Sequence, residues 1–297
     1  LSKIIVIGGI NNDIYAYSKS YIKQDSNIGV IKYSHGGVGR NVSQNLSQIG
    51  FEVIFLGAVG DDNTGIEILN KMKNFNIDIS KIIISNKYPT SSYLSISNDE
   101  GDMSFAVSSM DIMEEVSIDY IKKYESIIEN SSIIFIDANL PSATIEYICQ
   151  SFTKPIFFDA VSISKSYKAK NILDRIHTLK VNLNEAYEIF CNKERSIEKV
   201  ILGSSKYNNL RIFLTDGENG SYYLHNKTIK HFPINKKNII NANGAGDSYT
   251  GGLIASQILN LSIESTIKLS SKMAYLTANS DKSVSELINS RILEVFK

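Results

Sequence analysis

Asn241-Ala242-Asn243-Gly244-Ala245-Gly246-Asp247, running on into Ser248-Tyr249-Thr250-Gly251-Gly252-Leu253-Ile254, places two glycines and an aspartate where an apolar helix begins. Leu253, Ile254, Ile258 and Leu261 recur at helical spacing, which predicts a helix from about Gly246. Backbone N–H groups of Gly244, Ala245 and Gly246 can then converge on one point, backed by the positive end of the helix dipole. Developing phosphate charge is stabilised at such a point, and small side chains let an anion approach the backbone donors. Asp247 can take a proton from a hydroxyl nucleophile beside the same phosphate. Alone, the stretch equally fits a helix start whose aspartate only complements the dipole.

Upstream, His35-Gly36-Gly37-Val38-Gly39-Arg40-Asn41 precedes Val42, Leu46 and Ile49, a second helical spacing that ends at Gly50, where a C-cap glycine belongs. Phe51 to Leu56 reads as a buried strand, with Gly57 to Asp62 as its exit. The cluster lacks the GxGxxG pattern, so it supports no dinucleotide fingerprint and leaves a nicotinamide oxidoreductase well behind. Read by itself it is a structural turn.

In order and placement the two clusters resemble the paired signatures of the ribokinase-like (PfkB) sugar and nucleoside kinases. That resemblance implies an α/β three-layer sandwich with a mostly parallel central sheet and a small β-sheet lid. It implies catalysis by Asp247 with an anion hole from Gly244, Ala245 and Gly246. Asn11 and Asp13 resemble the family's Asn-x-Asp, whose aspartate holds sugar hydroxyls, and Gly36, Gly37, Asn41 and Asn139 join them as implied substrate contacts. Asn182-Leu183-Asn184-Glu185 resembles the family's Asn-x-x-Glu, which orders Mg2+ and its waters near the phosphates, and oxygen ligands suit that cation. Thr215-Asp216-Gly217-Glu218-Asn219-Gly220 resembles the nucleotide-binding turn, so Thr215, Gly217, Gly220 and Asn243 are implied ATP contacts. Without the resemblance, residues 11 to 13 are a polar loop, Glu185 is an ordinary first-turn carboxylate, and residues 215 to 220 are a tight turn.

Asp25 to Val42, Thr90 to Ser95, Phe158-Asp159-Ala160-Val161-Ser162 and Ile176-His177-Thr178-Leu179-Lys180 are similar to the matching stretches of the bacterial pseudouridine kinases, a branch of that family. This implies phosphorylation of pseudouridine at its 5′-hydroxyl, with Ser91, Ser92 and Tyr93 as candidates for reading the base. The alternatives are a kinase of the same fold for another nucleoside, ribose or a sugar acid, and a non-catalytic nucleoside-binding protein. The chain departs from the family at Asn243, where a small residue such as threonine is usual, at Asn241, where aspartate is common, and at Val181, where proline often stands. These changes leave dependence on a monovalent cation such as K+ open.

A chain of 297 residues with 43% hydrophobic content suits one large core, and we expect a single kinase domain over residues 1–297 with lid segments near 14–35 and 88–107. The formal net charge of +0 offers no overall attraction to a nucleic-acid polymer. Cys149 and Cys191 lack metal-ligand spacing, which favours a reduced, cytoplasmic protein. No leader pattern opens the sequence and no apolar run reaches the roughly 18 residues of a spanning helix, so a membrane role is not expected.

Strand patterns at Phe51–Leu56, Ser132–Ile136, Pro155–Phe158, His177–Val181 and Arg211–Leu214 alternate with helical patterns such as Ile118–Ile128 and Thr144–Cys149. This predicts a mostly parallel sheet covered on both faces. Ile14–Tyr33 and Tyr88–Val107, with a turn at Asn98-Asp99-Glu100-Gly101, read instead as an accessory sheet or edge hairpin. In the family such a sheet covers the sugar site as a lid and can pair subunits into a homodimer.

Overall fold

Ile4-Ile5-Val6-Ile7 is a continuous apolar run, and all four side chains are fully buried. Such a run suits a central parallel strand covered on both faces. In the computed structural model, which describes residues 2–18, 25–98, 103–191, 194–234, 239 and 243–296, it forms the middle of the main sheet. The chain begins with strands β1 (Lys3–Ile7), β2 (Asn11–Ser18) and β3 (Gly29–Gly36), then helix α1 (Val38–Gln48), β4 (Glu52–Leu56), β5 (Ala58–Gly60) and α2 (Asn63–Asn74). β6 (Ile77–Asp78), β7 (Ile83–Ser85), β8 (Ser92–Ser97) and β9 (Met103–Ser109) lead to the short helices α3 (Ile118–Lys122) and α4 (Glu125–Glu129). Alternation follows through β10 (Ile133–Asp137), α5 (Ser142–Ser151), β11 (Ile156–Asp159), α6 (Ile163–Ser166), β12 (Thr178–Asn182), α7 (Leu183–Phe190), α8 (Ile197–Ser204) and β13 (Arg211–Thr215). Finally β14 (Ser221–His225) and β15 (Thr228–Phe232) precede α9 (Ala245–Ile258) and α10 (Ile263–Ala278).

The main sheet has nine strands in the order β15-β14-β13-β12-β11-β10-β1-β4-β6. It is parallel from β6 to β13, and β14 and β15 add an antiparallel end. Successive residues of β1 face opposite sides. Ile5 and Ile7 pack with Ile145 and Ile148 of α5 and Ile189 of α7, whereas Ile4 and Val6 pack with Leu46 of α1, Leu253 of α9 and Met273 of α10. Helices therefore cover both faces, as the alternating pattern predicts.

Each of the five predicted strands forms, with ends displaced by no more than one residue. Gly50 takes φ 98° just past α1, the conformation a helix-ending glycine provides. The single helix expected over Ile118–Ile128 is instead two short ones. Lys123 N–H and Tyr124 N–H bond three residues back, to Tyr120 and Ile121, and Tyr124 leaves helical geometry at φ −118°, ψ 11°. Tyr120 holds the bend, because its hydroxyl donates to the Lys81 carbonyl at 2.6 Å and its ring meets Tyr124 edge-on.

The accessory sheet forms from both expected segments, in the order β3-β2-β8-β9. β2 pairs parallel to β8 and antiparallel to β3. The turn expected at residues 98 to 101 lies outside the described residues from Asp99 onward. Val30, Ile31, Tyr33 and Phe105 are exposed on this sheet. Among the described residues, no helix is long and apolar enough to cross a membrane.

Candidate active site

β1 is the point where strand order reverses: the chain proceeds to β4 on one side and returns to β10 on the other. Ligands in open α/β sheets bind at the carboxyl ends of strands beside such a reversal. Here Asp137, ending β10, accepts hydrogen bonds from Gly9 N–H at 2.9 Å and Gly39 N–H at 3.0 Å, tying the start of α1 to the end of β1. Burial pushes the Asp137 carboxyl up from its ordinary range, against the pull of these donors.

Across the same edge, α9 begins at Ala245 with Gly244 as its N-cap in the left-handed region, φ 76°. A Cβ on Gly244 would lie 1.9 Å from the Ser283 carbonyl oxygen, so backbone conformation and space both require glycine. Helix geometry leaves the N–H groups of Ala245, Gly246 and Asp247 without intrahelical acceptors. The Asp247 carboxylate accepts from Asn41 Nδ2 at 2.7 Å, a contact between residues 206 positions apart. This hydrogen bond joins the tips of α1 and α9, and with them the two glycine clusters. Burial, reinforced by Asp159, raises the Asp247 carboxyl to about 7, with Asn41 and Lys180 opposing. A carboxylate so poised takes up a proton near neutral pH more readily than an exposed aspartate does.

Asp13 is the third residue of β2, just after the chain leaves the main sheet for the accessory sheet. A Cβ on Gly36 would lie 1.9 Å from its Oδ2, so the neighbouring strand accommodates the carboxylate only because residue 36 is glycine. Tyr15 hydroxyl donates to Asp13 at 3.2 Å. Burial raises the Asp13 carboxyl to about 7 against the pull of Tyr15 and Arg40. Gly37, φ 93°, passes directly over the Gly9 carbonyl and starts α1. Asn11 has a buried Oδ1 with no protein partner, as does the hydroxyl of Ser91. Asn139 lies against Gly9 and accepts from Lys165 Nζ at 2.6 Å.

Arg40, Lys180, Asp159 and Thr250 complete the centre without having been assigned a role from sequence. Arg40 is buried and donates to the His35 carbonyl at 2.9 Å, to Asn41 Oδ1 at 2.7 Å and to Gln44. Burial lowers its guanidinium to about 10, while Asp13 and Asp247 both pull the other way, so one cation serves both carboxylates. Lys180 pairs with Asp159 at 3.3 Å, and its Nζ would lie 2.9 Å from a Cβ on Gly246. Burial disfavours the charged ammonium, but Asp159, Glu185 and Asp247 outweigh it and hold Lys180 protonated. Thr250, one turn into α9, donates to Asp159 at 3.0 Å. The signal was a lysine in the otherwise buried strand Thr178-Leu179-Lys180-Val181, since lysine is rarely buried unpaired.

Asn182 and Glu185 form a reciprocal capping box at the start of α7: Asn182 N–H donates to Glu185 Oε2 at 2.8 Å and Glu185 N–H to Asn182 Oδ1 at 2.9 Å. Burial raises the Glu185 carboxyl, Lys180 opposes, and Oε2 is occupied by the cap. Asn182 is in register with Thr215, which ends β13. Gly217, exposed, and Gly220, buried against the Phe232 carbonyl, shape the turn that follows, with φ 52° and 95°. Asn243 is exposed in the turn before α9, and Asn241 lies outside the described residues. The structure thus brings Asn41, Lys180 and Asp247 together, ties Asp13 to them through Arg40, and sets Asn182 and Thr215 on adjacent strands of the same edge.

A family model described as pfkB family carbohydrate kinase matches residues 1–287. The chain is 31% identical to the pseudouridine kinase of Escherichia coli over 96% of this chain and 95% of that protein. It is 24% identical to the guanosine-inosine kinase of Exiguobacterium acetylicum, over 92% of this chain and 93% of that protein. Its fold matches the structure of Arabidopsis thaliana ribokinase complexed with ribose and ATP at a TM-score of 0.85 and 17% identity, covering 100% of this chain and 99% of that one.

Proposed function

The chain belongs to the pfkB family of carbohydrate kinases, and we propose that it transfers the γ-phosphoryl group of ATP to the 5′-hydroxyl of pseudouridine, giving pseudouridine 5′-phosphate and ADP. The observation that supports this reading is the 2.7 Å bond between Asn41 and Asp247, which joins the two glycine clusters to which the sugar and phosphate contacts are assigned. Asp247 takes the hydroxyl proton as the oxygen attacks the γ-phosphorus, and the bond to the β,γ-bridging oxygen breaks. N–H groups at the start of α9 and the Lys180 ammonium stabilise the spreading charge. Asp13 and Asn11 hold the ribose hydroxyls, and the unpartnered buried Oδ1 of Asn11 suits a hydroxyl donor.

Thr215 and the turn at Gly217 and Gly220, with Asn243, hold the nucleotide. Mg2+ keeps several waters and takes few protein ligands, so the second oxygen of Glu185, left over by the capping box, with Asn182 nearby, fits an ion held through water. Such an ion would neutralise phosphate charge. The accessory sheet closes over the ribose and excludes water as a competing acceptor. Its exposed Val30, Ile31, Tyr33 and Phe105 support a second role in pairing two copies of the chain.

The 31% identity to a pseudouridine kinase favours this acceptor. The guanosine-inosine kinase relative favours a purine nucleoside as the second reading. ADP release measured across pseudouridine, uridine, guanosine, inosine and ribose decides between them. Pseudouridine should give the highest kcat/KM, and a higher value for any other acceptor refutes the assignment.

A further inference from the structure

Asp61 and Asp62 carry the chain from β5 into α2. Asp62 is the N-cap of α2, where its Oδ1 accepts from Gly65 N–H at 2.7 Å. A cap needs one side-chain oxygen, which asparagine or serine supplies as well as aspartate. The second oxygen of Asp62 has a different partner. Oδ2 accepts from Thr90 N–H at 2.8 Å, and Oδ1 accepts from the Thr90 hydroxyl at 2.8 Å in addition to its cap bond. Thr90 is buried, and its hydroxyl accepts in turn from Gly60 N–H at 3.0 Å. A Cβ on Gly60 would lie 2.5 Å from both Asp62 Oδ2 and Thr90 N, so this clamp closes only because residue 60 is glycine. Burial would raise the Asp62 carboxyl, but the bonds from Thr90 and Gly65 outweigh it and hold the group below its ordinary range.

Thr90 stands where the chain enters the accessory sheet. The next carbonyl, that of Ser91, accepts from Asn12 N–H at 2.8 Å, and β8 then pairs with β2 so that Ser92 is opposite Asn12 and Tyr93 opposite Asp13. The path from the Asp62 carboxylate to Asp13 therefore runs through Thr90, Ser91 and Asn12 by hydrogen bonds and adjacent peptide units. A one-residue slip between strands turns every side chain to the opposite face, so an anchor at Thr90 keeps Asp13 and Tyr93 in register.

We propose that Asp62 is a positioning residue for nucleoside binding: through Thr90 it fixes the start of β8 against Asn11 and Asp13, and so sets how tightly the acceptor is held. The inference rests on the assignment of Asn11 and Asp13 to the ribose. The clamp is built from β5, α2 and the start of β8, which carry none of the implied ATP contacts, so ATP affinity should not change.

Asp62→Asn keeps an oxygen for the cap but turns an amide donor toward Thr90 N–H. Thr90→Val removes the hydroxyl at nearly constant volume, and Thr90→Ser retains it. Calorimetry reads the dissociation constants of ATP and of the best acceptor among pseudouridine, uridine, guanosine, inosine and ribose, so the test does not depend on turnover. Asp62→Asn and Thr90→Val should weaken nucleoside binding about three- to tenfold, as loss of one hydrogen bond does, with ATP binding unchanged and Thr90→Ser at wild-type values. In both weakened variants the amides of residues 92–97 should exchange with deuterium faster, while those of α2 should not. A role limited to capping predicts no effect of Asp62→Asn, because asparagine caps equally well. If Asp62→Asn does not fold, the two Thr90 variants decide the matter. Unchanged nucleoside affinity in either folded weakened variant, an equal loss of ATP affinity, or a Thr90→Ser variant as impaired as Thr90→Val overturns the proposal. Another acceptor ranking above pseudouridine refutes the acceptor assignment and leaves this comparison of variants intact.

Discussion

Replacing Asp247 by asparagine should slow turnover sharply and at the same time stabilise the fold, and the pH dependence of that stabilisation follows from the site. The carboxyl lies at about 7 in the folded chain against 3.8 for an ordinary aspartate. Between those values the folded state holds more protons than the unfolded one, so stability falls as pH rises through the window. The interval is about three pH units, and at about 1.36 kcal/mol each it amounts to about 4 kcal/mol. Asparagine does not titrate, and its amide oxygen can still accept from Asn41. Asp247→Asn should therefore match the wild type near pH 4 and exceed it by up to about 4 kcal/mol at pH 8. At about 2 °C per kcal/mol for a chain of this size, Tm at pH 8 rises by roughly 8 °C. Urea unfolding at both pH values, with coupled ADP release on the same samples, reads both effects. Turnover should fall about a hundredfold or more, as loss of a general base requires. A stability difference that is the same at pH 4 and pH 8, or near-normal turnover, refutes the argument.

Asp13→Asn should raise the nucleoside KM by about tenfold while kcat changes less, because the proposed contact to the ribose hydroxyls is weakened; an unchanged KM in steady-state assays refutes that role for Asp13. Gly244→Ala adds a Cβ 1.9 Å from the Ser283 carbonyl at a residue with φ 76°, so Tm and turnover should both fall, and a variant with wild-type values of both shows that the tip of α9 tolerates displacement. Lys180→Met leaves Asp159 buried and unpaired, which costs about 3 to 5 kcal/mol; the double variant Lys180→Met with Asp159→Leu should recover part of that stability but not the activity, and equal chemical denaturation of the single variant and wild type contradicts the pairing.

The strand positions were legible because a buried parallel strand writes itself as a local apolar run, as Ile4–Ile7, Ile133–Ile136 and Ile212–Leu214 show. Gly244 and Asp247 were legible as a small residue and an acid at a helix start, and Gly36 as part of the family signature, whereas the left-handed backbone at Gly244 and the close approach of Asp13 to Gly36 emerge only in the fold. The capping box at Asn182 and Glu185 also follows from an i, i+3 spacing, although the pair was read through its resemblance to the family's Asn-x-x-Glu and not as a cap. The break at Tyr124 was not legible, since the helical spacing runs through it and the Tyr120 anchor to Lys81 lies outside the segment.

The residues therefore carried, in their order alone, the layered α/β architecture, the accessory sheet and the two glycine turns, because periodicity and backbone requirements act over a few positions. Only folding decided that Asn41 meets Asp247, that Arg40 spans Asp13 and Asp247, and that Lys180 answers Asp159 across neighbouring strands. Those pairings depend on sheet order and register, which bring together charges distant in the chain, and on burial, which shifts Asp13 and Asp247 to about 7.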